Sequence, residues 1–220
     1  MTILNKLINL LSVYVKDTAS VSEEIVRNFA VEQNISLRDD HLRFLMRFGS
    51  QSNGRAEIFR QYGGDFDFET FKWVYLEKEI EMEPPPGTAF FGSGFAGHAL
   101  CIAADSGKIY LYESAMKYSV VHGSVDGFLF GCMLFLYHED AFANVLVNRD
   151  VGSDYINSFR IKNAKKKLVE ATSFEFEYEA INNPEIREEY YLIDGELVAF
   201  YPGSGNLVTM SGGILDGLNL

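Results

Sequence analysis

The sequence predicts an α+β protein in which helices pack against an antiparallel sheet. Two observations lead to this prediction. Residues 90–137 combine a glycine-rich turn, short strands with alternating apolar residues and an almost wholly apolar helix. Residues 1–49 repeat apolar side chains at helical spacing. With 47% hydrophobic residues, a chain of 220 residues can bury a sizeable core.

Helices are predicted before residue 50. Apolar residues from Ile3 onward recur at helical spacing and indicate a first helix. Ser20 followed by Glu23 has the pattern of a capping box and predicts the start of a second helix. Asp39 and Asp40 suit the first turn of a third helix, because carboxylates are favourable near the positive end of a helix.

The pattern changes to alternation in residues 54–83, which predicts strands with one exposed face. Further along, 99–104 and 109–113 are joined by a short connection containing Gly107, which predicts a β-hairpin. Lys117 to Val121 is expected to add a third strand. Ser124 then caps an apolar helix, in which Gly127 and Gly131 are expected to allow close packing.

Helices are predicted to resume from Asp140 through Arg149 and a basic stretch around residues 160–167, which is interpreted as a solvated face. Near the end, two apolar segments flank Asp194-Gly195, the signal for a hairpin with a type I′ turn. We therefore expect an α+β domain in residues 1–150. Residues 151–220 would form a C-terminal helix and β-hairpin extension that packs on the same core.

The formal net charge of −12 disfavours nucleic acid as a partner, since phosphates would be repelled. The same charge favours encounter with a basic protein. No membrane partner is expected, because the longest apolar run, residues 128–137, is about half the roughly 20 residues that a bilayer requires. Cys101 and Cys132 are expected to be reduced core thiols, which fits a cytoplasmic protein.

No catalytic, metal-binding or cofactor-binding residue is predicted. Residues 92–97 satisfy GxGxxG, but a strand rather than a helix is expected to follow, so a nucleotide site is not favoured. The same order of elements argues against Ser93 as a nucleophile. The histidines do not have the spacing of zinc ligands.

Two acidic segments are candidate binding surfaces. In strand geometry, the first would place its carboxylates on shared faces, where they either keep the sheet soluble or capture a basic partner with help from nearby Phe or Tyr. The second spans residues 175–196, and Arg187 is its one basic residue. The partner-binding residues predicted in the first segment are Asp65, Asp67, Glu69, Glu77, Glu79, Glu81 and Glu83.

Three stretches, in their order along the chain, carry a family likeness. They are VSEEIVRNFAVEQNISLRDDHLRFLMRFGSQSNG (21–54), FFGSGFAGHALCIAADSGKIYLYES (90–114) and SVDGFLFGCML (124–134). This order of an acidic helix, a second helix ending near Asn-Gly, a glycine-rich turn, a cysteine-bearing strand and a Ser-capped aromatic helix resembles the SUKH superfamily, also called the SMI1/KNR4-like family. Gly92, Gly94 and Gly97 match the family's turn and are expected to be structural. Arg38 stands where the family commonly has proline.

The resemblance implies a single α+β domain and, for bacterial members, an immunity protein that binds and neutralises a cognate protein toxin, often a nuclease. It carries no catalytic residues. We therefore expect a non-enzymatic cytoplasmic protein without cofactor or metal, which binds a basic toxin through an acidic surface. An interaction module unrelated to toxins is the first alternative, and a carboxylate-based hydrolase is the second. The oligomeric state is left open.

Overall fold

The computed structural model describes residues 2–51, 56–77, 82–94, 98–113, 116–175 and 185–218. The α-helices within them are α1 (Ile3–Leu11), α2 (Glu23–Glu32), α3 (Asp39–Phe48), α4 (Phe68–Glu77), α5 (Val125–Ala141) and α6 (Ser153–Asn163). The strands are β1 (Thr18–Ala19), β2 (Ser50–Gln51), β3 (Thr88–Ser93), β4 (Ala99–Ala103), β5 (Ile109–Glu113), β6 (Met116–His122), β7 (Asn144–Asn148), β8 (Ser173–Glu175), β9 (Glu185–Ile193), β10 (Glu196–Tyr201) and β11 (Asn206–Ser211). The predicted α+β class is confirmed.

The chain divides into two compact units. Unit 1 holds the described residues of 1–14, 126–175 and 184–220, and unit 2 holds those of 15–125. Unit 1 is therefore built from both ends of the chain. The boundary expected near residue 150 falls inside unit 1.

Unit 2 contains an antiparallel meander in which β3, β4, β5 and β6 pair in chain order. The predicted hairpin is confirmed, since Ile102 of β4 pairs with Ile109 of β5. Gly107 adopts φ +70° in the turn, a conformation that glycine reaches without the penalty of a side chain. A strand does follow the glycine-rich turn, as expected, because β4 begins at Ala99.

The helices of unit 2 before residue 50 also follow the prediction. α3 begins at Asp39 with both aspartates in its first turn. α2 begins at Glu23, and its N-cap is Ser22. The expected capping box from Ser20 is therefore wrong, because Glu23 is already the first helical residue rather than the third.

The strands predicted in residues 54–83 are wrong for the described part of that segment. Residues 57–62 form a 3₁₀ turn and residues 68–77 form α4. Phe68, Phe71 and Val74 are buried at three-residue spacing, which is the signature of a helix with one buried side. In this alternating stretch, Phe66 lies in the loop that leads into the helix and Phe68 is the first helical residue, so neither belongs to a strand.

In unit 1, α1 packs its apolar face inward through Leu4, Leu7 and Leu11, which are all buried. The side chain of Thr2 caps this helix by accepting a hydrogen bond of 3.1 Å from the amide of Asn5. Asn5 in turn donates to a carboxylate oxygen of Asp126 on α5, 2.7 Å away, so the first and fifth helices are joined by a polar contact.

The strands of unit 1 pair in the order β8, β9, β10, β11, β7, and every pair is antiparallel. The predicted C-terminal hairpin is confirmed: Asp194 and Gly195 have φ values of +51° and +87°, as a type I′ turn requires. The helix expected from Asp140 to Arg149 is wrong beyond Ala141, because residues 144–148 form β7.

One face of the unit 1 sheet carries a small core of Tyr191, Val198, Phe200 and Leu207. Side chains of α6 and of the segment before it, including Ile156 and Phe159, pack against this core. In α5, a side chain at Gly131 would meet nothing within 4 Å, so the close packing expected at that glycine is not found. Among the described residues, no helix has both the length and the apolarity needed to cross a bilayer.

Candidate functional site

Four of the predicted partner-binding residues lie in α4 of unit 2 or in the loop that leads into it. Asp65 and Asp67 lie in the loop that leads into this helix, and Glu69 lies in its first turn. Glu77 ends the helix and Glu83 lies in the loop before β3. Glu79 and Glu81 fall outside the described residues. In the described part of the chain, Asp65, Asp67 and Glu69 therefore lie at the start of a helix and Glu77 at its end, rather than along one face of a strand.

An open groove of about 480 Å³ lies at the N-terminal end of α4. It brings together three of the predicted carboxylates, Asp65, Asp67 and Glu69. The groove is completed by residues from α2 and the segment before it, from the chain that follows α3, and from α4 itself. These residues are Val21, Ile25, Gly49, Ser50, Phe68, Thr70 and Lys72. With three carboxylates and one ammonium group in its lining, the groove is acidic.

Asp67 has a structural role in this groove. One carboxylate oxygen accepts a hydrogen bond from the amide of Thr70 and the other accepts one from the Thr70 hydroxyl, each at 2.9 Å. A helix leaves its first amide groups without partners, and an aspartate just before the helix satisfies one of them. Asp67 is thus held in place as the cap of α4.

Asp65 is positioned by its main chain. Its amide donates to the Ser93 hydroxyl at 2.8 Å, and its carbonyl accepts from the Ser93 amide at 2.9 Å. The preceding Gly64 approaches β3 so closely that a Cβ there would overlap the carbonyl oxygen of Ser93. Glycine is therefore required at residue 64, and the pair of hydrogen bonds fixes where Asp65 enters the groove.

Glu69 and Lys72 form the exposed rim of the groove. The Lys72 ammonium lies 2.7 Å from a carboxylate oxygen of Glu69 and 5.4 Å from the centre of the Phe68 ring. The Glu69 side chain is 79% exposed, so this ion pair is weak and can open to admit another cation.

An aromatic cluster supports the floor of the groove. The Phe68 ring centre lies 5.8 Å from that of Phe29 and 5.9 Å from that of Phe71. The Phe68 amide also donates to the carbonyl oxygen of Gly49 at 2.7 Å, which ties the start of α4 to the end of α3. The groove is therefore built on a rigid base, which reduces the conformational cost of binding.

Two apolar side chains of α4 extend the acidic surface. Trp73 and Leu76 lie four and seven residues after Glu69, so all three share one side of the helix. Trp73 is 39% exposed and Leu76 is 57% exposed. Exposed tryptophan beside charged groups is typical of binding hot spots. Phe66 and Phe68, which alternate with the acidic residues in sequence, are buried.

Two carboxylates of the second acidic segment, those of Glu189 and Asp194, are paired within unit 1. Glu189 is buried, and its carboxylate accepts hydrogen bonds from Lys167 at 2.9 Å, Arg160 at 3.1 Å and the Tyr191 hydroxyl at 2.7 Å. Asp194 pairs with Lys166 at 2.7 Å. The basic stretch before β8 thus supplies positive charges to carboxylates that lie much later in the sequence. These two carboxylates are therefore not free to hold a partner, and residues 176–184 of the segment lie outside the described residues.

The environment of Glu189 shows how these charges are balanced. Burial alone would raise the pKa of this carboxyl, but the hydrogen bonds from Tyr191, Lys167 and Arg160 outweigh burial and lower the pKa below its usual value. The carboxylate therefore remains ionised and bonded within the fold. This arrangement stabilises the packing of α6 on the sheet and offers no open binding site.

The glycine-rich turn has a packing role at its described residues. A Cβ at Gly92 would overlap the Phe66 ring, and the Gly94 amide donates to the carbonyl oxygen of His98 at 2.8 Å. Gly97 lies outside the described residues. Cys101 and Cys132 are buried free thiols, and burial raises the pKa of Cys101 to about 12. In the described ranges, no three His, Cys, Asp or Glu residues come together as a set of metal ligands.

Comparisons with protein-family models, with curated proteins and with solved structures give no match.

Proposed function

We propose that this protein is a non-catalytic binding protein that captures a cationic protein in the acidic groove at the start of α4. The observation that carries the proposal is the meeting of Asp65, Asp67 and Glu69 in one open groove beside the apolar side chains of Val21 and Ile25. We further propose that the partner is a bacterial toxin and that this protein is its cytoplasmic immunity protein, as the resemblance to the SUKH superfamily implies.

The mechanism is stoichiometric. The net charge of −12 attracts a basic partner over a distance, and this attraction raises the rate of encounter. A lysine or arginine of the partner then replaces Lys72 beside Glu69. Trp73 and Leu76 supply apolar contact next to the charged groove, which slows dissociation. Occupying the basic surface of a nuclease-type toxin would block the surface that the toxin needs for its substrate.

The geometry supports binding over hydrolysis. A carboxylate-based hydrolase needs one carboxyl whose environment keeps it protonated beside another that is ionised. Both oxygens of Asp67 are engaged by Thr70, and Glu69 is solvent-exposed and paired with a lysine. These two carboxylates serve as a helix cap and a charged rim, so neither is arranged as a proton donor.

Co-expression with the product of the adjacent gene tests the immunity role. We expect this protein to restore growth when the neighbouring product is toxic and to co-purify with it. If the neighbouring product is not neutralised and no complex forms, the immunity role is wrong. A complex with a non-toxic protein through the same groove would instead favour the alternative, an interaction module unrelated to toxins.

Association kinetics with the purified partner test the groove. The double variant D65N/E69Q should reduce the association rate constant by about threefold to tenfold at low salt, and the difference should shrink as salt is added. The matched control E32Q/E113Q removes two exposed carboxylates of unit 2 that do not line the groove. An equal loss of rate in both variants would mean that overall charge, and not the groove, determines encounter.

The variant W73A tests the apolar part of the surface. Trp73 is partly exposed, so we expect the variant to fold and to dissociate from the partner at least about tenfold faster, as hot-spot tryptophans do. The exposed apolar residue Val31 lies at the other end of α2 from Ile25, and V31A is the control. An unchanged dissociation rate for W73A would remove Trp73 from the proposed surface.

A further inference from the structure

The edge of the unit 1 sheet is formed by a strand that is exposed along its whole length. β7 pairs with β11 on one side, and no described strand of unit 1 pairs with its other side. Each of its residues, from Asn144 to Asn148, is exposed to solvent. Proteins commonly protect such an edge with a charge, a proline or a bulge, and the sequence NVLVN contains no charge and no proline.

Apolar side chains project from both faces of this edge. Leu146 pairs with Thr209 and so lies on the same face of the sheet as Leu207. Val145 and Val147 lie on the opposite face. Leu146 is 61% exposed, and both valines are also exposed. A strand that exposes apolar groups on both faces gains stability when another strand extends the sheet beside it.

The two ends of β7 are fixed, so the strand is held ready for pairing. At one end, a Cβ at Gly213 would overlap the carbonyl oxygen of Ala141, so this glycine fits tightly against the chain that leads into β7. At the other end, Asp150 takes φ +55° and the Val151 amide donates to the carbonyl oxygen of Gly205 at 2.9 Å. The outward main-chain groups of β7 are therefore pre-ordered.

The sequence of β7 reads the same in both directions, Asn-Val-Leu-Val-Asn. We propose that β7 pairs with β7 of a second copy of this chain, antiparallel and related by a twofold axis through Leu146. Leu146 then lies opposite Leu146 of the other copy, each Val145 lies opposite a Val147, and each Asn144 lies opposite an Asn148. Each apolar side chain meets an apolar one, and each amide meets an amide that can both donate and accept.

Self-complementarity is what favours a second copy over another protein as the occupant. A twofold axis requires the same patch to match itself, and the palindromic strand meets this requirement without charge repulsion at the contact. Pairing of five residues buries much less than the roughly 1,000 Å² typical of a stable interface, so the dimer is weak. We expect a dissociation constant in the range of about 10 µM to 1 mM.

Because of the net charge, the affinity of the dimer should respond to salt in the opposite direction from the affinity of the proposed groove for its partner. Two copies at −12 each repel one another, so screening by salt should strengthen the dimer. Binding of a cationic partner in the acidic groove should weaken under the same change. The dimer does not rest on the proposed function, and the two responses to salt can be measured separately.

Sedimentation equilibrium of the full chain between about 10 µM and 1 mM tests the proposal. The wild type should show a monomer–dimer equilibrium. L146K and L146E should each raise the dissociation constant at least about tenfold, because like charges would face each other across the axis. An equimolar mixture of the two variants should recover a dimer with one copy of each. Ile161 on α6 is 81% exposed, and I161K is the matched control that should dimerise as the wild type does.

A cysteine at the axis tests the register. Strand pairs place opposite Cα atoms within the distance that a disulfide spans, so L146C should form a linked dimer on mild oxidation while I161C should form far less. A wild type that is monomeric at about 1 mM in high salt would overturn the proposal. A dimer that is unaffected in both L146K and L146E would also overturn it. A strand from another protein bound at β7 of a monomer would overturn it as well, because the occupant would then not be a second copy.

Discussion

Arg38 donates from Nη1 to the carbonyl oxygen of Ala104, 2.9 Å away, and so joins the start of α3 to the end of β4. The same guanidinium holds both carboxylate oxygens of Asp40, at 3.0 Å and 3.1 Å. The Asp40 hydrogen bond is the main reason that the pKa of Arg38 is raised above its ordinary value. Arg38 stands where the resembled family commonly has proline, and here its side chain fastens a helix to a hairpin.

We expect Arg38→Met to lower the free energy of unfolding by about 1–3 kcal/mol, because it removes charge-assisted hydrogen bonds in a partly buried place. Urea unfolding measures the change. Arg27→Met is the control, since Arg27 pairs with Glu23 on an exposed face of α2 and should change stability by no more than about 0.5 kcal/mol. Equal effects of the two variants would contradict a special role for Arg38.

Glu189→Gln should lower the free energy of unfolding by about 2–4 kcal/mol, because Arg160 and Lys167 would lose the buried carboxylate that balances them. Thermal and urea unfolding both report this loss. In the control, Asp194→Asn, the ion pair with Lys166 is solvent-exposed and stability should not change measurably. If Glu189→Gln were as stable as the wild type, the network would not stabilise unit 1.

His41 gives unit 2 a defined response to acid. Its ring is fully buried, neither ring nitrogen has a hydrogen-bond partner among the described residues, and burial lowers its pKa to about 3. The unfolded chain takes up a proton near pH 6.5, whereas the folded chain does not until about pH 3. The stability contributed by neutral His41 is thus complete above pH 6.5 and falls by up to about 1.4 kcal/mol per pH unit below it.

Urea unfolding at pH 7 and pH 5 tests this response. The variant His41→Leu should lose about 2 kcal/mol less than the wild type between these two pH values. Phe44→Leu changes a neighbouring ring without removing a titratable group, so it should lower stability by the same amount at both pH values, relative to the wild type. Identical pH dependence in the wild type and His41→Leu would show that His41 does not cause the loss.

The variant Asp67→Ala tests whether the carboxylate of Asp67 stabilises the fold, unlike the other groove carboxylates, which are proposed to bind the partner. Loss of the cap on α4 should lower the free energy of unfolding by about 0.5–2 kcal/mol. Glu77→Ala, at the other end of the same helix, should leave stability unchanged or slightly raised, because a carboxylate is unfavourable near the helix C-terminus. If Asp67→Ala were as stable as the wild type, Asp67 would not be needed as a cap, and its carboxylate would be assigned to binding instead.

Two glycines should respond oppositely to alanine. Gly64→Ala should cost at least about 2 kcal/mol in the free energy of unfolding, because the new Cβ would overlap the Ser93 main chain. Gly131→Ala should gain about 0.5–1 kcal/mol, because the site within α5 is open and alanine favours helix. Calorimetry of both variants measures these changes in stability. A stabilised Gly64→Ala variant would contradict the close approach of Gly64 to β3.

The hairpins were predictable because their signals are local. Asp194-Gly195 specifies a turn with two positive φ values, and Gly107 specifies one in the turn between β4 and β5. The aspartates that open α3 are also a local signal, since the helix dipole acts over a single turn. In each case a few adjacent residues contain all the information that determines the structure.

The segment that forms α4 was mispredicted because two periodicities overlap in it. Phe66 and Phe68 alternate with acidic residues, but Phe68 is also the first of the buried residues that recur through Phe71 and Val74. The helical pattern is decided by packing against Phe29 and His41, which are distant in sequence. A prediction based on the helical period would also have placed Trp73 and Leu76 on the exposed side of α4.

β7 was missed for a different physical reason. Strand prediction depends on one buried face, and β7 is exposed on both faces, so it has no alternation of apolar and polar residues to detect. Its place is determined by pairing with β11, more than 50 residues later in the chain. The ionic contacts of Glu189 were equally hidden, because the sequence does not show that residues 160–167 return to meet β9.

The discontinuous make-up of unit 1 determines the order in which the chain can fold during synthesis. α1 leaves the ribosome well before α5, which carries its polar partner 121 residues further along the chain. Most of unit 2 is contiguous and can fold while the rest of unit 1 is still being translated. Until then, the apolar face of α1 lacks the neighbours it has in the finished protein, and exposed apolar surface of this kind favours aggregation of the nascent chain.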